Sequence, residues 1–542
     1  MPCLRSLGCV CHEMTTSPSF RSNCVLVRVA VALHSHAVVP DHFAMCILCQ
    51  SMTNPPSALA QAQIHAALLT PASPVQGTYL APIPQATITA IAEQLVHGYW
   101  ASHNQSWGKF AIAPGGVISV DISGLTTAGQ ATARLALDSW TVNTGIRFNT
   151  DHLPGSRAQI TIDDTYSGSF TTRDMTGPMI NTAQVNVAAN WTTVYGTGVG
   201  SYALQTFVHE IGHALGLGHA GNYNGAAQYS RDALIAQDSW QTSVMSYFSQ
   251  VQNKTTGASY AFLPGPMQAD IEAIQSLYGT LGPVQTGNSV YGIGANSGAV
   301  HVQIGAMMAD GVLDKPISFV VVDSAGFDTF DFSTDLKNQS INLAPGAASG
   351  IYGLVGNLLI ERHSFIEQVR AGHGNDTILG NAAANRLFGN NGNDVIAGSN
   401  GNDQLYGGLG NDRLYGGAGQ NTLDGGAGSD RLISTTGTDS LVGGAGSDIF
   451  AFTVVVPGQV NGPDVICDFV AGTDKIDLSA IGAANAQFSI VAGQAFSAAQ
   501  QLRLIVTPTG TLVRGEVTGD RVADFEIFVS HAAHLTSSDF IL

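Results

Sequence analysis

Two patterns of apolar spacing divide the chain: one has a helical period, the other returns every nine residues. In the first, Ala203, Phe207, Ile211 and Leu215 recur every four positions within "SYALQTFVHEIGHALGLGHA" (201–220) and predict the buried stripe of a helix. His209 and His213, also four apart, share another face of that helix. Gly216 accepts the left-handed backbone that ends a helix, so the chain doubles back at once and presents His219. Upstream, Thr126 or Thr127 caps a predicted helix that stops at Gly145, and alternation predicts strands in "AQITIDD" (158–164) and "AQVNVAA" (183–189). Downstream, Ile271, Ile274 and Leu277 or Tyr278 share one face of a predicted helix over 269–279, with Gly279 as its stop. Helices and strands together predict an α+β domain.

The second pattern occupies residues 371–451, where nine consecutive nonapeptides run from "AGHGNDTIL" to "GGAGSDIFA". The eighth position is apolar in all nine, from Ile378 through Leu405 and Leu414 to Phe450, and predicts one inward residue per short strand. Glycines at the first, second and fourth positions permit tight turns. The sixth position is acidic in seven repeats (Asp376, Asp394, Asp403, Asp412, Asp430, Asp439 and Asp448), and Asn385 and Asn421 replace it in the other two. This is the grammar of the calcium-binding nonapeptide, which predicts an all-β parallel β-roll with several structural Ca²⁺ ions in its turns. A Gly/Asn/Asp linker would have no reason to keep an apolar residue on a nine-residue beat. The second repeat, "GNAAANRLF", lacks most turn glycines and its acid, and is expected to be a defective calcium site.

Composition narrows the partners. A chain of 542 residues exceeds what one core serves, and a net charge of −18 argues against nucleic acid or an anionic membrane. No window reaches the roughly 18 uninterrupted apolar residues of a membrane span, so a soluble protein is expected. Cys3, Cys9, Cys11, Cys24, Cys46 and Cys49 crowd the first fifty residues and only Cys467 lies beyond, so the rest of the chain has no disulfide framework. The early cysteines could form part of a metal knuckle. The plainer reading is a disordered leader, or an extension from a start codon placed too far upstream of Met45 or Met52. "CVLVRVAVAL" is interrupted by Arg28 and starts too deep for a signal peptide.

The histidines carry the chemistry. Two imidazoles one helical turn apart reach a single ion at about 2.0–2.1 Å, the zinc distance, and His219 adds a third ligand from another direction. Three protein ligands leave a position for water, as in a catalytic site, and Glu210 stands close enough to take that water's proton. The spacing His209, Glu210, His213, Gly216, His219 resembles the metzincin metallopeptidases. "SVMSYF" (243–248) resembles the Met-turn of that clan, and its tyrosine two residues after Met is similar to the serralysin family. "GHAGNYNG" (218–225) and "ADIEAIQSLYG" (269–279) also resemble serralysin segments, whereas nothing before Ile118 matches a motif of the family.

That resemblance implies a zincin-like catalytic domain, with Met245 as a floor beneath one catalytic Zn²⁺. His209, His213, His219 and Tyr247 would be the metal ligands, and Tyr247 would swing away to bond the oxyanion. The closing segment "DVICDF" and "DKIDLS" would cap the roll, and the ending "SSDFIL" resembles an uncleaved type I export signal. The organisation expected is a leader over 1–60, a propeptide or linker over 61–84 and a peptidase domain over 85–285. A β-rich connection over 286–370, the roll over 371–451 and a cap over 452–542 follow. The function implied is a secreted, extracellular, monomeric endopeptidase acting on proteins or peptides and exported by type I machinery. An extended substrate is expected to add to a sheet edge at strand 183–189. The alternatives are a repeat-bearing adhesin or surface-layer protein with a relic zinc site, and an exported lipase, which would require a G-x-S-x-G elbow that the sequence lacks.

Overall fold

A five-stranded sheet carries the first half of the fold. Its strands are β1 (Val117–Asp121), β2 (Arg147–Asn149), β3 (Ile160–Asp163), β4 (Ser169–Thr176) and β5 (Met179–Val187), in the order β2-β1-β3-β5-β4. All neighbours are parallel except β4, which runs antiparallel to β5. This computed structural model describes residues 83–542 apart from 114–115, 152–156, 280–281, 454–461, 482–486, 492–494 and 533. The expected leader, nearly all of the expected propeptide or linker and the six early cysteines lie outside the described residues. The chain divides into Met1–Val75 and Gln76–Leu542, and every described residue belongs to the second unit.

Alternation explains the inner strands: Ile118 and Val120 on β1, and Ile160 and Ile162 on β3, are fully buried. It gives no signal for β4, whose sequence "SFTTRDMT" holds Phe170 and Met175 on opposite faces and has no fully buried residue. The consequence corrects one expectation. The strand predicted at 183–189 exists as part of β5, but β5 lies between β3 and β4 and has no free edge; the free edge belongs to β4.

The predicted helices follow their punctuation. Thr126 caps Thr127–Thr144 by accepting the Gly129 N–H at 3.2 Å, and Gly145 ends it at φ 78°. Gln268–Tyr278 stops at Gly279, φ 76°. The histidine helix is Tyr202–Ala214, capped by Ser201. Its predicted stripe is buried, and so are Leu204, Gln205, Thr206, Val208 and Glu210, because this helix is enclosed and not laid on a surface. Trp140 of the preceding long helix donates its indole N–H to Val208 O at 3.1 Å. A helical stretch absent from the sequence expectations packs beside the histidine loop: Ile88–Glu93, a π turn Gln94–Gly98 and Tyr99–Ser102. Its Trp100 donates to Gly216 O at 3.0 Å, and its Leu95 O accepts from Gly218 N at 2.7 Å. No described helix is long and apolar enough to cross a membrane.

The nonapeptides wind into two parallel sheets. Residues eighteen apart pair, so Leu387, Leu405, Leu423 and Leu441 stack in one sheet, and Ile378, Ile396, Leu414, Leu432 and Phe450 in the other. Those nine side chains are at most 1% exposed. The same sheets continue upstream of the repeats through Val290–Gly292, Thr329–Asp331, Ser340–Asn342 and Gln368–Arg370. Downstream, Asp464–Ile466, Lys475–Asp477 and Phe540–Ile541 extend them.

Each repeat also buries its sixth residue. In Asp394, Asp403, Asp412, Asp430, Asp439 and Asp448, Oδ1 accepts a main-chain N–H from eighteen residues earlier, while buried Oδ2 has no hydrogen-bond partner. The first-position glycine makes room for that oxygen: a Cβ on Gly398 or Gly407 would stand 2.3 Å from it. Burial pushes Asp394 up to about 8, Asp376 to about 7, and Asp403, Asp412 and Asp430 to about 6. The folded roll therefore holds more protons than the unfolded chain, which favours folding below about pH 4 and ceases to do so as pH rises through about 6 to 8. In metal-free buffer the urea midpoint of the roll, followed by circular dichroism, should fall between pH 5 and pH 8; a midpoint that rises would contradict these burials.

Candidate active site

The histidine helix presents His209 and His213 to a cleft of about 710 Å³ whose lining includes His219, Glu210, Tyr247, Tyr99 and residues 169–173 of β4. His219 arrives there because Gly216 turns at φ 112°, where a Cβ would also strike Gly108 O at 2.2 Å. The three histidines lie with their ligand nitrogens within 4.8 Å of one another, and Nε2 of His213 is 3.0 Å from Nε2 of His219. No other group of three or more His, Cys, Asp or Glu among the described residues has that arrangement.

Each ring is oriented through its far nitrogen. Nδ1 of His209 bonds Val244 O at 2.8 Å, that of His213 bonds Leu217 O at 2.8 Å, and that of His219 bonds Tyr223 O at 2.9 Å. A carbonyl only accepts, so Nδ1 carries the proton and Nε2 keeps its lone pair facing the cleft. Burial, reinforced by the neighbouring imidazoles, holds His213 and His219 well below the usual histidine range and therefore neutral. Three imidazole nitrogens with their lone pairs turned to the cleft are a donor set that suits zinc.

Glu210 points into the cleft from the same helix. Thr171 Oγ1 of β4 lies 2.8 Å from its Oε2 and 2.9 Å from its backbone carbonyl, which ties the sheet edge to the carboxylate. Burial raises its pKa, while His209, Thr171 and Ser169 oppose the rise. Tyr247 stands across the site, its ring centroid 4.5 Å from that of His219, and burial pushes its phenol up to about 12. Met245 is fully buried beneath the helix: a Cβ on Gly212 would lie 2.6 Å from its sulfur, so glycine at 212 lets the turn seat there.

Comparison with known proteins agrees with this arrangement. The profile of the reprolysin-like metallopeptidases of family M12B matches residues 159–262, and that of the peptidase M10 serralysin C terminal matches residues 282–542. Metalloprotease AprA of Pseudomonas entomophila is 37% identical over 364 residues, 65% of this chain and 66% of that protein. Serralysin C of Dickeya chrysanthemi is 44% identical over 289 residues, 52% of this chain and 51% of its own length. Metallopeptidase AprA of Pseudomonas marginalis is 37% identical over 268 residues, 47% of this chain and 54% of that protein. The chain belongs to the serralysin-like metallopeptidases. It spans about half to two thirds of the length of these relatives.

Within this serralysin-like site, several supporting residues had no sequence signal. Asp270, fully buried on the helix Gln268–Tyr278, accepts Ser243 Oγ at 2.5 Å, Val244 N at 2.7 Å and Met267 N at 2.8 Å. It thereby holds the residue, Val244, whose carbonyl orients His209. On the other side, Tyr223 orients His219 through its carbonyl and donates its hydroxyl to buried Asp238 at 2.9 Å, which also accepts Ser246 Oγ at 2.6 Å. Asp270 sits in a stretch whose patterning marks only a helix start, and Thr171 in a strand that alternation does not mark at all.

Asp270→Asn keeps the shape but turns one acceptor into a donor facing an N–H. It should cost about 1–3 kcal/mol for a buried donor left unpaired and loosen His209. Urea unfolding and the zinc content after dialysis check this; unchanged stability and zinc retention would make Asp270 incidental.

Proposed function

We propose that this chain is a zinc endopeptidase that hydrolyses peptide bonds of extracellular proteins after type I export, and that calcium completes its roll outside the cell. The observation that carries the catalytic half is the convergence of three imidazoles beside a buried, non-ligating Glu210 in an open cleft. The unpartnered Oδ2 atoms of the roll carry the calcium half, because a buried anionic oxygen without a donor needs a cation. The relatives' names, metalloprotease and serralysin, support the catalytic half.

Zinc, when bound, supplies Lewis acidity toward a carbonyl and acidifies water. His209, His213 and His219 would hold it, with Tyr247 as a further ligand in the resting site. An extended substrate adds to the free edge of β4, where backbone pairing places the scissile bond over the histidines. Glu210 takes the proton of the attacking water and passes it to the leaving amine. Thr171 keeps one carboxylate oxygen engaged, so the other is the one that exchanges the proton. Tyr247 turns its phenol to the oxyanion as negative charge develops there; a phenol with a pKa raised to about 12 stays protonated and able to donate.

Casein cleavage by the calcium-loaded chain, abolished by a zinc chelator and restored by zinc, tests the reading; cleavage indifferent to the chelator would overturn it. Glu210→Gln should keep its zinc and lose roughly 10²- to 10⁴-fold in turnover, and a variant with near wild-type turnover removes Glu210 from the proton path. Tyr247→Phe should lower kcat by about 2.7–4 kcal/mol in barrier with little change in KM. An unchanged kcat there would leave Tyr247 a packing residue.

A further inference from the structure

Because residues eighteen apart share a flank of the roll, the nine sixth-position residues separate into two files. The first is Asp376, Asp394, Asp412, Asp430 and Asp448, each main-chain N–H donating to Oδ1 of the next at 2.7, 2.8, 2.7 and 2.9 Å, and the last donating to Asp474 at 3.0 Å. The second is Asn385, Asp403, Asn421 and Asp439, linked in the same way at 2.7, 2.9 and 2.9 Å and continued to Asp464 at 2.8 Å. Both asparagines fall in the second file.

The two flanks then differ in chemistry. On the first, Asp394, Asp412, Asp430 and Asp448 are each 1% exposed and each has an Oδ2 without a partner. That oxygen is turned into its own turn, where a Cβ on Gly389, Gly407, Gly425 or Gly443 would meet it at 2.2, 2.3, 2.5 and 2.6 Å. The protein itself closes only the ends of this file: Asp376 Oδ2 accepts Gly372 N at 3.1 Å and Asp474 Oδ2 accepts Val470 N at 2.8 Å.

On the second flank, amide protons occupy the corresponding places. Asn385 Nδ2 donates to Asn381 Oδ1 at 3.1 Å and faces the carbonyls of Ile366 and Glu367 at 3.5 Å, and its Oδ1 accepts Asn381 N at 2.8 Å. Asn381 Nδ2 closes the same turn by donating to Ile366 O at 2.9 Å. Asn421 Nδ2 faces Gly417 O at 3.5 Å and lies beside the orphan oxygen of Asp439, since a Cβ on Gly416 would stand 3.0 Å from the one and 3.4 Å from the other.

We propose that the roll takes up calcium one-sidedly: Asp394, Asp412, Asp430 and Asp448 form a continuous file of paired-carboxylate sites, whereas Asn385 and Asn421 close the opposite turns with carboxamide donors. Asp403, between the two asparagines, then remains a single-carboxylate position, and Asp439 has a carboxylate neighbour only in Asp464, whose Oδ2 already accepts Ser434 Oγ at 3.3 Å. Such positions bind more weakly because calcium affinity rises with the charge of its oxygen ligands. The inference rests on the reading of the roll as calcium-binding and deepens it. On the second flank the protein's own hydrogen bonds close the asparagine turns and leave Asp403 and Asp439 with an unpartnered oxygen each, whereas on the first flank every interior turn is left to the ion.

Equilibrium dialysis of the full chain against calcium, with circular dichroism for folding, separates the two claims. Asp412→Asn should lose tightly bound calcium and raise several-fold the calcium concentration at which the urea midpoint of the roll has made half its rise, whereas Asp403→Asn should move it little. Asn421→Asp should add bound calcium, and it decides the matter even if Asp412→Asn does not fold. Equal shifts from Asp412→Asn and Asp403→Asn, or no added calcium in Asn421→Asp, would overturn the one-sided arrangement. A wild-type chain that binds no calcium would overturn the calcium reading beneath it.

Discussion

Each cleft imidazole gives its Nδ1 proton to a backbone carbonyl, and the rest of the site depends on that bond because it decides which nitrogen keeps a lone pair. The three carbonyls belong to three segments: the Met-turn, the loop that leaves the histidine helix, and the loop beyond His219. Bringing them together is the task of the domain around the site. Asp270 fastens the first, the turn at Gly216 with Leu95 and Trp100 shapes the second, and the Tyr223–Asp238 bond fixes the third. A histidine helix on an open surface could not be held this way, which is why the observed helix is buried on almost every side.

The roll poses the same physical problem with carboxylate oxygens in place of imidazole nitrogens. In the cleft, imidazole nitrogens converge and leave lone pairs unused; in the turns, carboxylates are buried and leave oxygens unused. Both arrangements would be costly if left without a cation, since buried polar atoms without partners forfeit their hydration. Apolar stacking at the eighth position supplies the scaffold on which those carboxylates are held. Full burial of each such side chain contributes about 1.5–3 kcal/mol, and the glycines give the carboxylate oxygens their space.

Local patterns made much of this legible. The histidine helix, the break at Gly216, the long helix with its threonine cap and its end at Gly145, and the nine-residue beat all rest on neighbours within a turn or a repeat, where sequence spacing is spatial spacing. Met245 and Tyr247 were reached only through resemblance, since neither has a local pattern. Partners far apart in the chain were not legible at all: Thr171 meets Glu210 across 39 positions, and Asp270 reaches Val244 across 26. Strand order was hidden for a related reason. Alternation in "AQVNVAA" reports which face is buried, not which strand lies alongside, so β5 could be located but not recognised as internal; β4, polar on both faces, left no trace.

The arrangement of the three imidazoles is most directly tested by X-ray absorption at the zinc edge of the chain loaded with one equivalent of the metal. The account predicts a first shell of nitrogen and oxygen at about 2.0–2.2 Å with outer-shell scattering from three imidazole rings. A shell with fewer imidazoles, or a chain that does not retain the zinc, would contradict it.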